Sequence, residues 1–152
     1  MPTLTSQELQ KTTIPTVPTG AERKWYFADL RGKIVGNLAP RLVEILHGKN
    51  RVDFLANLDL GNFVVLVNAQ QIVFTGDKLE KKKYRNHSGY PGGLRERTLR
   101  EMREKFPTEL VFRIIKGMMP HTKLGAKQLD RLFIYPDQNH RQQAQEKNFL
   151  KI

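Results

Sequence analysis

Five consecutive residues, Phe63-Val64-Val65-Leu66-Val67, limit the folds open to this chain more than any other stretch. All five are apolar, and four are β-branched or aromatic. A strand with one wet face alternates polar and apolar residues, so an unbroken run marks a strand covered on both faces. Such strands belong to parallel sheets, where crossover helices supply the cover. The flanking sequence fits. Trp25-Tyr26-Phe27-Ala28 suits a short buried strand, and Asp29 to Gly32 a turn. Leu38, Leu42, Ile45 and Leu46 recur at i, i+4, i+7 and i+8, one face of a helix between Val35 and Leu46. Asn37 is its expected cap, Pro40 falls in its first turn, and Gly48 is its left-handed stop. Strand, helix and doubly covered strand make an α/β pattern with a mostly parallel sheet. The central strand unit is expected to run from 62 to 75, with Ile72-Val73-Phe74 as its second part.

Beyond it, Lys78 to His87 reads as basic and extended or looped, and Ser88 to Gly93 as a glycine-rich loop. Leu94 to Phe106 reads as a helix, with Leu99, Met102 and Phe106 on one stripe. Pro107 opens the next helix, whose stripe is Leu110, Val111, Ile114, Ile115 and Met118. A shorter helix over 124–132 and a strand at Phe133-Ile134-Tyr135 follow. Residues 1–22, with Pro2, Pro15, Pro18 and many threonines, are expected to form a flexible extension. The folded domain then spans 23–136, and 137–152 is an extended polar tail. A chain of 152 residues has room for one such domain.

Charge is distributed unevenly over this plan. The net charge is +11. Residues 78–105 carry ten basic groups against four acidic ones, and 113–131 carry five against one. With Glu109 between them, 54 residues hold +9 of the total. So one-sided an excess repels itself unless a polyanion relieves it, and nucleic acid is the commonest such partner. Within it, Lys81-Lys82-Lys83-Tyr84-Arg85-Asn86-His87-Ser88-Gly89-Tyr90 interleaves cations with rings. Lys and Arg suit phosphate contacts, while Tyr84, His87 and Tyr90 suit stacking on unpaired bases or hydrogen bonding to ribose, the alternative for Tyr84 and Tyr90 being that they pack under the loop as core. The expected RNA contacts are Lys81, Lys82, Lys83, Tyr84, Arg85, His87, Tyr90, Arg95, Arg97, Arg100, Arg103, Lys116, Lys123, Lys127 and Arg131. No helix-turn-helix or zinc-finger pattern is shaped for a DNA groove, which favours structured RNA.

Other chemistries find little support. Cysteine is absent, which removes disulfides and thiol catalysis. Neither serine, Ser6 or Ser88, sits in a nucleophile turn. His47, His87, His121 and His140 never approach metal-ligand spacing, so no metal is expected. Asp29, Asp53, Asp59 and Asp77 lie beside turns, where aspartate satisfies backbone donors. The alternative reading is a small nucleotide-binding α/β enzyme, but the sequence has no phosphate-loop motif. Gly89-Tyr90-Pro91-Gly92-Gly93, placed before the expected helix, would suit a polynucleotide phosphate better than a cofactor. A membrane-binding module is disfavoured by Glu96, Glu101 and Glu104 on the most amphipathic segment. No secretory signal is expected, and Lys11, the one basic residue of the first 20, argues against a transit peptide.

Several stretches together resemble one family over about residues 23–145. These are Trp25-Tyr26 with Asp29, Gly32 and Lys33; Gly36 with Leu38-Ala39; Gly48-Lys49; Gly61 and the apolar run ending in Asn68-Ala69; and Thr75-Gly76 with Lys78. They continue with His87-Ser88-Gly89, Gly92-Gly93, Lys116-Gly117-Met118-Met119-Pro120 with Leu124-Gly125, Asn139-His140 and Ala144-Gln145. In order and spacing they resemble the bacterial-type large-subunit ribosomal protein L-thirteen family. The chain departs from that pattern at Asn37 and Ala126, where the family commonly carries arginine. The resemblance implies a three-layer α/β/α domain around a mostly parallel sheet, with no enzymatic activity and no cofactor. It implies a structural constituent of the large ribosomal subunit that binds and organises ribosomal RNA early in assembly, beside neighbouring ribosomal proteins. With Lys11 arguing against a transit peptide, a cytoplasmic rather than an organellar ribosome is expected, with no membrane and no small-molecule substrate.

Overall fold

Residues 63–67 form the centre of a parallel sheet, strand β2 (Phe63–Val67), with Val64 to Val67 buried. β1 (Trp25–Asp29) runs beside it in parallel register, Trp25 opposite Phe63 and Asp29 opposite Val67. The connection is helix α1 (Val35–His47), so the expected strand, helix and doubly covered strand is realised. The protein is described by a computed structural model over residues 16–18 and 22–152. Most of the N-terminal extension expected over 1–22 lies outside the described residues.

α1 begins at Val35 with Ile34 in the cap position and no side-chain cap, so Asn37 is not its cap. Pro40 consequently sits inside the helix rather than in its first turn. At the other end Gly48 takes the left-handed conformation, φ 88°, and its N–H donates to the Glu44 carbonyl. β2 stops at Asn68, whose φ of 59° turns the chain into a 3-10 turn, Ala69–Gln71. Ile72-Val73-Phe74 does not continue the strand; Val73 makes a single parallel bridge to Ile34.

Next come a single helical turn, α2 (Lys78–Lys81), and an antiparallel ribbon of β3 (Lys83–His87) and β4 (Leu94–Thr98). The helix expected over Leu94 to Phe106 is therefore only its second half, α3 (Leu99–Lys105), started by Thr98, whose hydroxyl accepts from the Glu101 N–H at 3.3 Å. The loop 88–93 precedes a strand, not a helix. α4 (Pro107–Lys116) opens on its proline as expected, α5 (Lys123–Leu129) is capped by Thr122, and β5 (Leu132–Ile134) pairs with β2. In 137–152 a 3-10 turn (Gln143–Asn148) leads into β6 (Phe149–Lys151), which pairs in parallel with β1. The sheet order is β5-β2-β1-β6, all parallel.

One sheet face presents Ala28, Val64, Leu66 and Leu132 to the helices. There Val35, Ala39, Leu42 and Leu46 of α1 share a core with Leu99 and Met102 of α3 and Leu110, Val111 and Ile115 of α4. The other face is aromatic. Trp25 stacks on Phe63 at 4.3 Å between ring centres and Phe27 on Phe149 at 5.3 Å, with His140 set against both members of the second pair.

Candidate nucleic-acid interface

The ribbon carries the densest part of the expected site. Residues facing each other across an antiparallel pair share a face, so two sets separate. Lys83, Arg85 and His87 lie with Thr98, Glu96 and Leu94; Tyr84 and Asn86 lie with Arg97 and Arg95. Glu96 accepts from Arg85 Nε at 2.6 Å and from Lys83 Nζ at 3.1 Å. Those hydrogen bonds, the Arg85 one foremost, hold its carboxyl below the usual glutamate range. At the tip the Gly89 N–H donates to His87 Nδ1 at 2.9 Å, while Tyr90 is 76% exposed, open for a base to stack on. Tyr84 differs: it is half-buried against the core, with Lys82 Nζ 5.4 Å above its ring, and burial pushes its phenol up. Its hydroxyl is buried without a hydrogen-bond partner among the described residues.

Beside the ribbon, α2 packs on α3. Arg100, Arg103 and Glu104 line a cleft of about 550 Å³ with Leu79 and Gln70, and Arg100 reaches Glu80 at 3.3 Å. Lys78, Lys81 and Lys82 line another of about 320 Å³ with Asp77, which takes the Lys81 ammonium at 2.8 Å. Ribbon, α2 and α3 thus bring Lys81, Lys82, Lys83, Arg85, Arg95, Arg97, Arg100 and Arg103 into one region. Among the described residues Lys82, Arg95, Arg97 and Arg103 have no carboxylate within ion-pair distance. Arg97 lies over the Phe106 ring at 4.8 Å. Lys116 ends α4, and Lys123 and Lys127 lie on α5, which packs on α1; none of the three lines the clefts beside the ribbon.

Arg131 is no surface cation. It is buried, and its guanidinium grips Asp59 with Nη1 at 2.7 Å and Nη2 at 2.5 Å. Arg23 joins them, reaching Asp59 at 3.4 Å and donating to the Gly61 carbonyl. In the sequence Arg131 counts among the other cations and Asp59 reads only as a turn residue. A sequence window cannot show pairing across 72 residues. Burial opposes ionisation of Asp59, but the Arg131 hydrogen bonds and the charges of Arg131 and Arg23 outweigh it and hold the carboxyl low. Among the described residues no His, Asp and Glu cluster suits a metal, and no helix is long and apolar enough to cross a membrane.

The sequence carries a family signature over most of this fold. The family model for ribosomal protein L13 matches residues 23–141. The large ribosomal subunit protein uL13 of Thermotoga maritima is 45% identical over 144 residues, covering 95% of this chain and 96% of that protein. Its counterpart in Desulfitobacterium hafniense strain DCB-2 is 46% identical over 125 residues, covering 82% and 87%. That of Mycoplasmopsis pulmonis is 44% identical over 124 residues, covering 82% and 86%. With the match beginning at Arg23, in the buried ion cluster, and running through the sheet, ribbon and helices, the chain belongs to the ribosomal protein L13 family.

Proposed function

We propose that this protein binds large-subunit ribosomal RNA and holds converging RNA segments together during early assembly. On this reading it works in the large subunit of cytoplasmic ribosomes, touching neighbouring ribosomal proteins there. The observation that carries it is the ribbon with its α2–α3 flank: a two-stranded element exposed along most of its length and rich in Lys and Arg, of which Lys82, Arg95, Arg97 and Arg103 have no carboxylate within ion-pair distance among the described residues. Two strands alone are marginally stable in water. Here the parallel-sheet core, through α3 and α4, supplies the rigid base, and phosphates supply the missing counter-charge. The family is structural, so the nucleotide-dependent enzyme is set aside.

The test is binding of the full chain to large-subunit ribosomal RNA over a salt series. If roughly six to ten phosphates are neutralised, log affinity falls with log salt by about 0.9 per duplex contact. The double variant Arg100→Ala/Arg103→Ala should weaken binding while the circular dichroism of the free protein stays unchanged. A flat salt dependence, or wild-type affinity in that variant, would overturn the reading.

A further inference from the structure

The ribbon's inner face forms a cavity that the general basic surface does not explain. Tyr84 and Asn86 on β3 stand directly opposite Arg97 and Arg95 on β4, so alternation puts all four on one side. Glu109 and Arg113 of α4 border that side, and the six residues, Asn86 and Arg95 among them exposed, line a pocket of about 130 Å³. Glu109 is committed, accepting from Arg113 Nε at 3.0 Å and Nη2 at 2.7 Å. What remains is rich in donors. Guanidinium groups donate and never accept. The Asn86 amide adds two donors and one acceptor oxygen, and the Tyr84 hydroxyl is buried with no hydrogen-bond partner among the described residues. Three guanidiniums stand against one carboxylate. A phosphate presents acceptors and negative charge, which suits a lining whose donors and guanidinium charges outnumber its acceptors. A base would need a free ring face, and Lys82 lies over that of Tyr84.

We propose that this cavity is a discrete phosphate site, in which Arg95 and Arg97 supply charge and Asn86 and Tyr84 donate hydrogen bonds to one phosphodiester of the RNA backbone. The proposal rests on the RNA-binding reading and sharpens it: one phosphate is held in a shaped pocket while the rest meet an open surface. The full chain and its Tyr84→Phe, Arg95→Ala, Tyr84→Phe/Arg95→Ala and Arg100→Ala/Arg103→Ala variants are titrated with large-subunit ribosomal RNA across salt, each checked by circular dichroism. Arg95→Ala should lower the salt slope by about one. Tyr84→Phe removes no charge and keeps the ring. It should leave the slope unchanged and weaken binding about tenfold at every salt concentration. The two losses should combine to less than their product, because both groups serve the same phosphate. Wild-type binding by Tyr84→Phe, or independent effects of the two changes, would overturn the site. If the Arg100/Arg103 variant still binds weakly in that case, the broader RNA reading survives; if it too binds normally, both fall. Inorganic phosphate alone, followed through the ring resonances of Tyr84, identifies the source of the anion. Shifts that RNA reverses by displacement support the proposal, and phosphate or a mononucleotide that stays bound beside the RNA overturns it.

Discussion

At Asp59 a single carboxylate faces two guanidiniums, and the three side chains tie together segments that begin β1, precede β2 and precede β5. Removing one partner of a buried charge cluster leaves the others desolvated and unpaired. Asp59→Asn should therefore cost about 3–5 kcal/mol, read as a lower urea midpoint. The same carboxylate sets an acid limit. Its pKa is depressed in the folded state, so its stabilisation is complete above the ordinary aspartate value and is lost as pH falls toward the folded value. The thermal midpoint should drop from about pH 5 downward, and Asp59→Asn should lack that part of the drop. Gly61 sits next to this cluster. A Cβ there would lie 1.8 Å from the Leu46 carbonyl oxygen, so Gly61→Ala must push the 59–62 segment off the end of α1. The glycine is visible in the sequence; the helix end pressing on it is not.

Among the elements, β1, α1, β2 and α4 were legible because each buries one whole stripe or both faces, which leaves an unambiguous apolar pattern. The ribbon was not. β4 reads Leu-Arg-Glu-Arg-Thr, exposed for most of its length, so no apolar alternation marks it, and its residues suit a helix as well as a strand. What fixes it as a strand is its cross-strand partners, Glu96 against Arg85 and Arg97 against Tyr84, which a local window does not contain. Glu96→Gln releases Lys83 and Arg85 on an exposed surface. The thermal midpoint should barely move, while RNA affinity and its salt slope should both rise. β6 was hidden by its brevity: Phe149, Leu150 and Ile152 are apolar, but so short a run at the end of a polar segment is fixed as a strand only by its pairing to β1. Phe149→Ala removes a half-buried ring from the aromatic face and should cost about 2 kcal/mol, measured by denaturant unfolding.

For the molecule as a whole, the excess of positive charge separates two responses to salt. In the free protein, screening relieves repulsion among the cations of 78–131, so the thermal midpoint should rise as salt increases from low ionic strength. Binding to RNA should weaken over the same range. Parallel trends would mean that the charge is balanced internally. The fold class and the region of the charged surface were readable from the sequence, because both follow from composition along the chain. Which cations face solvent was not, and Arg131 shows why: a local charge count does not distinguish a side chain turned inward. The pairing of β6 with β1 has its own consequence, in time rather than in space. The ribbon strands are joined by a six-residue loop and find each other quickly, whereas the seam at β1 joins segments more than a hundred residues apart, as the Lys33 contact to the Ile152 carbonyl, 119 residues away, also shows. This seam should therefore be slow to form, and because β6 is a three-residue edge strand with Leu150 exposed, amide exchange should be faster along it than along the central strands of the parallel sheet.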